Sequence, residues 1–227
     1  MSYDPILLHI ETSTDVCSVA ISRGSSVIGH ALEREGKRHA ALLPLMIERV
    51  RADGGIGLAD LHAVCYSKGP GSYTGLRVGL STAKGICFVL NKPLIGVPTL
   101  LALTYGIEHP EPGCILIPMI DARRDEVYLE IYNSEREVIK VSAPIILHQD
   151  SFADLLHSGR PVYLCGNGAV KAKDLIKPRE NLHFAGYEID ARYMIRPGLN
   201  GFLNQRFENL AYAVPEYLKA PVYKKAI

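Results

Sequence analysis

The stretch with the most chemical content is Lys68-Gly69-Pro70-Gly71-Ser72-Tyr73-Thr74-Gly75-Leu76-Arg77-Val78-Gly79. Gly69, Gly71, Ser72, Thr74 and Gly75 stand between an apolar run that reads as a strand and a periodic run that reads as a helix. Glycines there permit tight turns and close approach of a backbone or a ligand. The free N–H groups opening the helix suit a phosphate or carboxylate. The spacing is not a Walker A loop, because no Lys-Ser/Thr pair follows the last glycine, and it misses GxGxxG by one residue. Two readings stand: an anion cradle, and a turn that packs a helix tightly on a sheet.

Two carboxylates occupy matching turns. Glu11 precedes the polar turn Thr12-Ser13-Thr14-Asp15, and Asp121 opens the turn Asp121–Asp125. In a phosphate-handling cleft such residues would hold a metal. The alternative, favoured here, is that each caps local N–H groups as the remnant of such a cleft. The second half offers only Gly166-Asn167-Gly168 as a companion loop. Histidines at 9, 30, 39, 62, 109, 148, 157 and 183 form no HxxxH or HExxH pair, so a zinc peptidase site lacks its ligands. No GxSxG nucleophile elbow is present. No catalytic residue, metal site or cofactor is expected.

Gly75, Gly79 and Ala83 recur every four residues and share one helical face. Interior glycine costs about 1 kcal/mol relative to alanine, so close approach of another element must compensate. The expected neighbour is the helix starting at His39. Its apolar residues overfill one stripe, with Leu43, Ile47 and Val50 on one face and Leu42, Leu45 and Met46 on another. A helix pair docking on a partner is the reading adopted, because large apolar patches mark interfaces. Leu42, Leu45, Met46, Arg49, Gly75, Gly79 and Ala83 are its expected contact residues.

The elements that carry these residues repeat. Strands at Ile6–Glu11, Val16–Ser22 and Ser26–Leu32 precede a helix at His39–Arg51, strand Ala63–Ser67, helix Gly75–Leu90, strand Leu94–Val97 and helix Thr99–Tyr105. The second pass has strands Ile115–Ile120, Val127–Tyr132 and Val138–Leu147 and helix Asp150–His157. Strand Val162–Cys165, helix Ala169–Ile176, strand Leu182–Ala185 and a helix near Asp190–Ile195 complete it. Both passes read βββαβαβα, so two α/β lobes with mixed sheets are expected, split in His109–Gly113 into residues 1–110 and 111–227. That architecture suits sugar kinases and actin-like ATPases. Fold alone leaves function open.

Composition narrows the classes. The 227 residues carry 25 Lys plus Arg against 24 Asp plus Glu, with 48% apolar residues. The first 110 residues hold ten basic and nine acidic side chains and the remainder fifteen of each, so neither lobe holds nucleic acid by bulk charge alone. Five cysteines at 17, 65, 87, 114 and 165, none spaced CxxC, fit reduced buried thiols. With no signal peptide and no long apolar span, the expectation is a soluble cytoplasmic protein.

Taken together, Ile10-Glu11-Thr12-Ser13-Thr14, His39-Ala40-Ala41-Leu42-Leu43-Pro44, Gly69 to Gly79, and Asp121-Ala122-Arg123-Arg124-Asp125-Glu126-Val127-Tyr128 resemble the bacterial TsaB (YeaZ) family. Pro215-Glu216-Tyr217-Leu218-Lys219 is similar to that family's closing Pro-x-Tyr-Leu-Arg, with Lys for Arg. The resemblance implies an RNase H-like, actin-like two-lobed fold. It implies a non-catalytic role in threonylcarbamoylation of the adenosine beside the anticodon, in tRNAs reading codons that begin with A. The implied partners are the catalytic paralogue TsaD, a TsaE-like P-loop ATPase and tRNA through the complex; without that paralogue, the apolar helix face is expected to pair with itself as a homodimer. The paralogue carries a metal-binding His-x-x-x-His where this chain has Thr99 and Leu103. The competing expectations are a glycoprotease-like metallopeptidase and a small actin-like ATPase.

Overall fold

The computed structural model describes residues 4–34 and 38–219. The first sheet is built from β1 (Ile6–Glu11), β2 (Cys17–Arg23), β3 (Ser26–Glu33), β4 (Ala63–Gly69) and β5 (Leu94–Pro98), in the order β3-β2-β1-β4-β5. β1 pairs antiparallel with β2 and parallel with β4, so it is the central strand. Each of its six residues is buried, which explains why it reads as a continuous apolar run rather than an alternating one.

The second sheet repeats this plan with β6 (Ile115–Asp121), β7 (Glu126–Asn133), β8 (Val138–Ile146), β9 (Val162–Cys165) and β10 (Leu182–Phe184), in the order β10-β9-β6-β7-β8. Hairpin strands pair antiparallel and crossover strands parallel in both sheets. The chain is therefore a two-lobed α/β protein, as the repeated element order implies.

Helices α1 (His39–Asp53) and α2 (Tyr73–Leu90) cover the outer face of the first sheet. Their shared core holds Ile10, Val19, Leu43, Ile47, Val50, Val64 and Leu80. Ser72 caps α2 by accepting from the Gly75 N–H at 3.2 Å, and Asn91 ends it at φ 51°. Helices α4 (Ala153–His157) and α5 (Ala169–Leu175) belong to the second lobe, whose own core includes Leu156, Ala169 and Ala172. A third core joins the sheets. It gathers Leu7, Cys65 and Val97 from the first, Leu116, Ile120 and Cys165 from the second, and Leu100 and Leu103 of α3 (Thr99–Thr104).

The end of the chain departs from expectation. In place of a helix near Asp190–Ile195 closing the second lobe, a 3-10 turn at Ala191–Met194 leads into α6 (Ile195–Leu203), and both pack on the first sheet. Arg196-Pro197-Gly198 reads as a break in the sequence. Pro197 nevertheless lies in the first helical turn, where no intrahelical N–H bond is lost. Gly198 and Gly201 face the sheet: a Cβ on Gly198 would sit 2.8 Å from Cys65 Sγ, and one on Gly201 3.0 Å from Ile95 Cγ2. The segment after α6 then crosses the first lobe, where the Glu208 N–H donates to Leu94 O at 2.8 Å. Lys219 pairs with Glu126 of the second lobe.

Candidate functional site

The glycine loop links β4 to α2 and meets the β1–β2 hairpin. The Ser72 N–H donates to Ser13 O at 2.6 Å, and the Thr12 hydroxyl donates to Gly75 O at 2.8 Å. The space left by the missing side chains is filled by this chain. A Cβ on Gly75 would lie 2.1 Å from Thr12 O, and one on Gly71 2.4 Å from Ser13 O. Gly69, at φ +121°, would place a Cβ 2.5 Å from Glu216 O of the returning C-terminal segment. Of the two readings of this loop, the geometry matches the packing turn.

The C-terminal segment is held there by several contacts. The Glu216 N–H donates to Lys68 O at 2.8 Å, and Lys68 Nζ stands 3.0 Å from Glu208 Oε1 and 3.1 Å from Glu216 Oε1. Tyr217 tilts against Tyr73 with ring centroids 4.8 Å apart, and its hydroxyl accepts from Arg77 Nε at 3.0 Å. Sequence reasoning missed this cover. A tail without periodic pattern carries no signal of where it lies.

The small-residue face of α2 turns inward. Gly75, Gly79 and Ala83 are all buried, and a Cβ on Gly79 would meet Thr12 Oγ1 at 2.3 Å and Ile10 Cγ2 at 3.5 Å. Gly75 and Gly79 therefore pack on β1 and its turn, while Ala83 lies in the core that this lobe's helices share. The reason is elementary: a small stripe demands a close neighbour but does not say which. On α1, Met46 joins Leu43, Ile47 and Val50 in the core and is 8% exposed, so it too leaves the expected contact set. Leu42 is half-buried against that core, and Arg49 is exposed, 3.8 Å from Asp53. The exposed apolar residues of the two helices are Leu45 of α1, 68% exposed, and Phe88 and Val89 of α2, each 79% exposed. Gly85 also faces outward, with nothing within 4 Å of a Cβ.

The hairpin carboxylates differ. Glu11 is fully buried, its Oε1 accepting from the Ser13 N–H at 2.6 Å while Oε2 has no hydrogen bond. Burial pushes its carboxyl up to about 7, against the opposing dipoles of Ser13 and Ser67. Asp121 is exposed; its Oδ1 accepts from the Arg123 N–H at 2.6 Å and from Lys171 Nζ at 2.7 Å. Asn167 of the Gly-Asn-Gly turn accepts the Asp121 N–H at 2.9 Å. Both carboxylates thus cap their own turns. Lys171 was not anticipated; its only sequence signal is a position three residues into the helix region after that turn.

Thr99 and Leu103, on α3, are both buried. His39 is buried as well, its Nε2 3.0 Å from Thr14 O, which ties the start of α1 to the hairpin. All five cysteines are buried and free, and burial pushes the Cys17 thiol up to about 12. Among the described residues, no three His, Cys, Asp or Glu side chains come together as a metal site.

The family model described as "TsaD: tRNA N6-adenosine threonylcarbamoyltransferase" matches residues 30–227. The tRNA threonylcarbamoyladenosine biosynthesis protein TsaB of Escherichia coli (strain K12) is 32% identical over 150 residues, which are 63% of this chain. The Bacillus subtilis (strain 168) protein of that name is 28% identical over 94% of this chain and 93% of its own length. The chain belongs to this family, on its TsaB branch. It spans 64% of the length of the E. coli relative. YeaZ from Pseudomonas aeruginosa superimposes with a TM-score of 0.80 at 22% identity, covering 94% of this chain and all of that one, which shows the shared fold. No helix among the described residues is long and apolar enough to cross a membrane.

Proposed function

We propose that this chain is a non-catalytic subunit in threonylcarbamoylation of tRNA, acting by docking on its threonylcarbamoyltransferase paralogue through the outer faces of α1 and α2. The names of its relatives supply the pathway. The observation that carries the subunit role is the state of the glycine loop. Its glycines are spent on Thr12, Ser13 and Glu216 of the same chain, so the loop holds its own backbone where a phosphate-binding loop would hold a ligand. The buried Thr99 and Leu103 also offer no imidazole where the paralogue places its metal ligands.

The docking face follows from exposure. Leu45, Phe88 and Val89 project into solvent from two helices that pack on one another, and Gly85 would let a partner backbone approach closely. A P-loop ATPase and tRNA join through the assembled complex in this reading, and the isolated chain pairs with itself through the same face.

The test is a pull-down titration between this chain and the paralogue from the same cell, with tRNA modification as second readout. Leu45→Glu/Phe88→Glu should weaken association at least tenfold and abolish modification while leaving the melting temperature unchanged. Wild-type affinity in that variant would place the interface elsewhere. Modification by the paralogue alone, at full rate, would remove the subunit role altogether.

A further inference from the structure

At the end of the first sheet where β1 and β4 begin lies an open cleft of about 430 Å³. Ile6 and Ile56 are its buried apolar residues, and Arg23, His62 and Lys92 stand along it. Arg23 ends β2 and Lys92 precedes β5, so two different strand ends bring cations to one place. Neither has a carboxylate partner among the described residues. The carboxylate that shares the cleft, Asp60, accepts from the Gly57 N–H at 2.8 Å.

The flank of the cleft is aromatic. His62 Nδ1 accepts from the Ile6 N–H at 3.0 Å, so a neutral ring carries its proton on Nε2. Its ring lies edge-on to Phe202 at 6.4 Å, and Phe202 in turn tilts against the exposed Phe207 at 6.1 Å. Unmatched cations beside stacking surfaces suit a nucleic-acid strand: lysine and arginine take the phosphates, and aromatic faces take bases. Because the cleft is open rather than enclosed, a continuous polyanion can pass through it without its ends being accommodated.

We propose that this cleft contacts tRNA directly, with Arg23 and Lys92 holding backbone phosphates and Phe207 offering a stacking face. The inference rests on the tRNA role proposed above. It adds that the chain itself, and not only its paralogue, touches the RNA.

The experiment uses the complex of this chain with its paralogue and measures binding of labelled tRNA over a range of salt. Arg23→Glu/Lys92→Glu should lower affinity at least tenfold and reduce the salt dependence by about one to two released ions. Arg23→Gln/Lys92→Gln should give a smaller loss in the same direction. Assembly with the paralogue and melting temperature should match wild type in both. Unchanged affinity and salt slope in the variants, with an intact wild-type complex, would overturn this inference alone. Inorganic phosphate that binds the isolated chain through Arg23 and Lys92, with tRNA affinity unaffected by the substitutions, would assign the cleft to a small anion and also overturn it. A wild-type complex that fails to assemble or to bind tRNA would sink the functional reading and this inference with it.

Discussion

The two lobes share a strand order but use their hairpin turns differently. In the first, the β1–β2 turn is sealed beneath an 18-residue helix whose glycines admit Thr12, and Glu11 is left dry. In the second, the β6–β7 turn stays at the surface, Asp121 is held by Lys171, and the helix after the Gly-Asn-Gly turn spans seven residues. Arg123 and Arg124 both adopt positive φ there, braced by Lys171 Nζ donating to Arg124 O at 2.6 Å. The contrast teaches that a repeated topology preserves where a carboxylate stands, while the neighbouring helix decides whether a ligand can reach it.

The contrast breaks most easily at Gly79. A leucine there would drive its side chain into Thr12 and Ile10. Overpacking of this kind typically costs about 1–3 kcal/mol, and contact with a strand gives little room to relax. Gly79→Leu should therefore lower the melting temperature of the isolated chain by roughly 2–12 °C, at about 2–4 °C per kcal/mol for this size. Gly85→Ala, on the open face of the same helix, should instead stabilise by up to about 1 kcal/mol through helix propensity. Thermal melts of the two variants side by side check both. A Gly79→Leu chain as stable as wild type would mean that α2 is not seated on β1.

Glu11 gives the next largest effect, and it depends on pH. The carboxyl is raised from its ordinary 4.5 to about 7 by burial, so the folded protein holds a proton that the unfolded chain has released. The stability this contributes is fully present below 4.5 and is lost as pH rises through about 7. At about 1.4 kcal/mol per unit, the loss has a ceiling of about 3 kcal/mol. Glu11→Gln removes the titration, so its urea midpoint should exceed that of wild type at pH 8 and approach it at pH 5. His9 acts oppositely. Burial lowers its pKa to about 3, so its contribution is present above 6.5 and is lost as pH falls through about 3. A Glu11→Gln curve parallel to wild type across pH 5–8 would show that the turn is wet and the lobes alike in this respect.

How much of this was readable in the sequence differs by feature. The hairpins and crossovers were legible because each strand is a short apolar run bounded by polar turns, and the order repeats. Glu11 was legible as a cap, since a carboxylate ahead of Thr-Ser-Thr has local N–H groups to accept. The stripe Gly75/Gly79/Ala83 announced close packing without naming its neighbour, because a strand, a helix and a partner all exploit a missing side chain. Met46 was misplaced because a 15-residue helix lying across β2 and β3 buries a wider arc than a single stripe. The return of α6 to the first sheet was hidden by Pro197 and by glycines whose use depends on Cys65 and Ile95, each more than a hundred residues away.

The smallest expected effect lies at Asp121. Its partner Lys171 is about a quarter exposed and Asp121 more so, so their ion pair is bathed in solvent and worth at most about 1 kcal/mol. Asp121→Asn keeps an oxygen for the Arg123 N–H and removes only the charge, so it should cost less than Lys171→Met. The latter strips three contacts from the turn, at Asp121 Oδ1, Arg124 O and Glu126 O. Raising salt from roughly 0.05 to 0.5 M should shrink the Asp121→Asn effect, because the screening length falls below the reach of exposed charges. The Glu11→Gln effect should be unmoved by the same change, since salt does not enter a sealed turn. A double-mutant cycle between Asp121 and Lys171, read by urea unfolding at both salts, checks the assignment. A coupling above about 2 kcal/mol that ignores salt would mean that the second turn is as closed as the first, and the difference drawn between the lobes would fail.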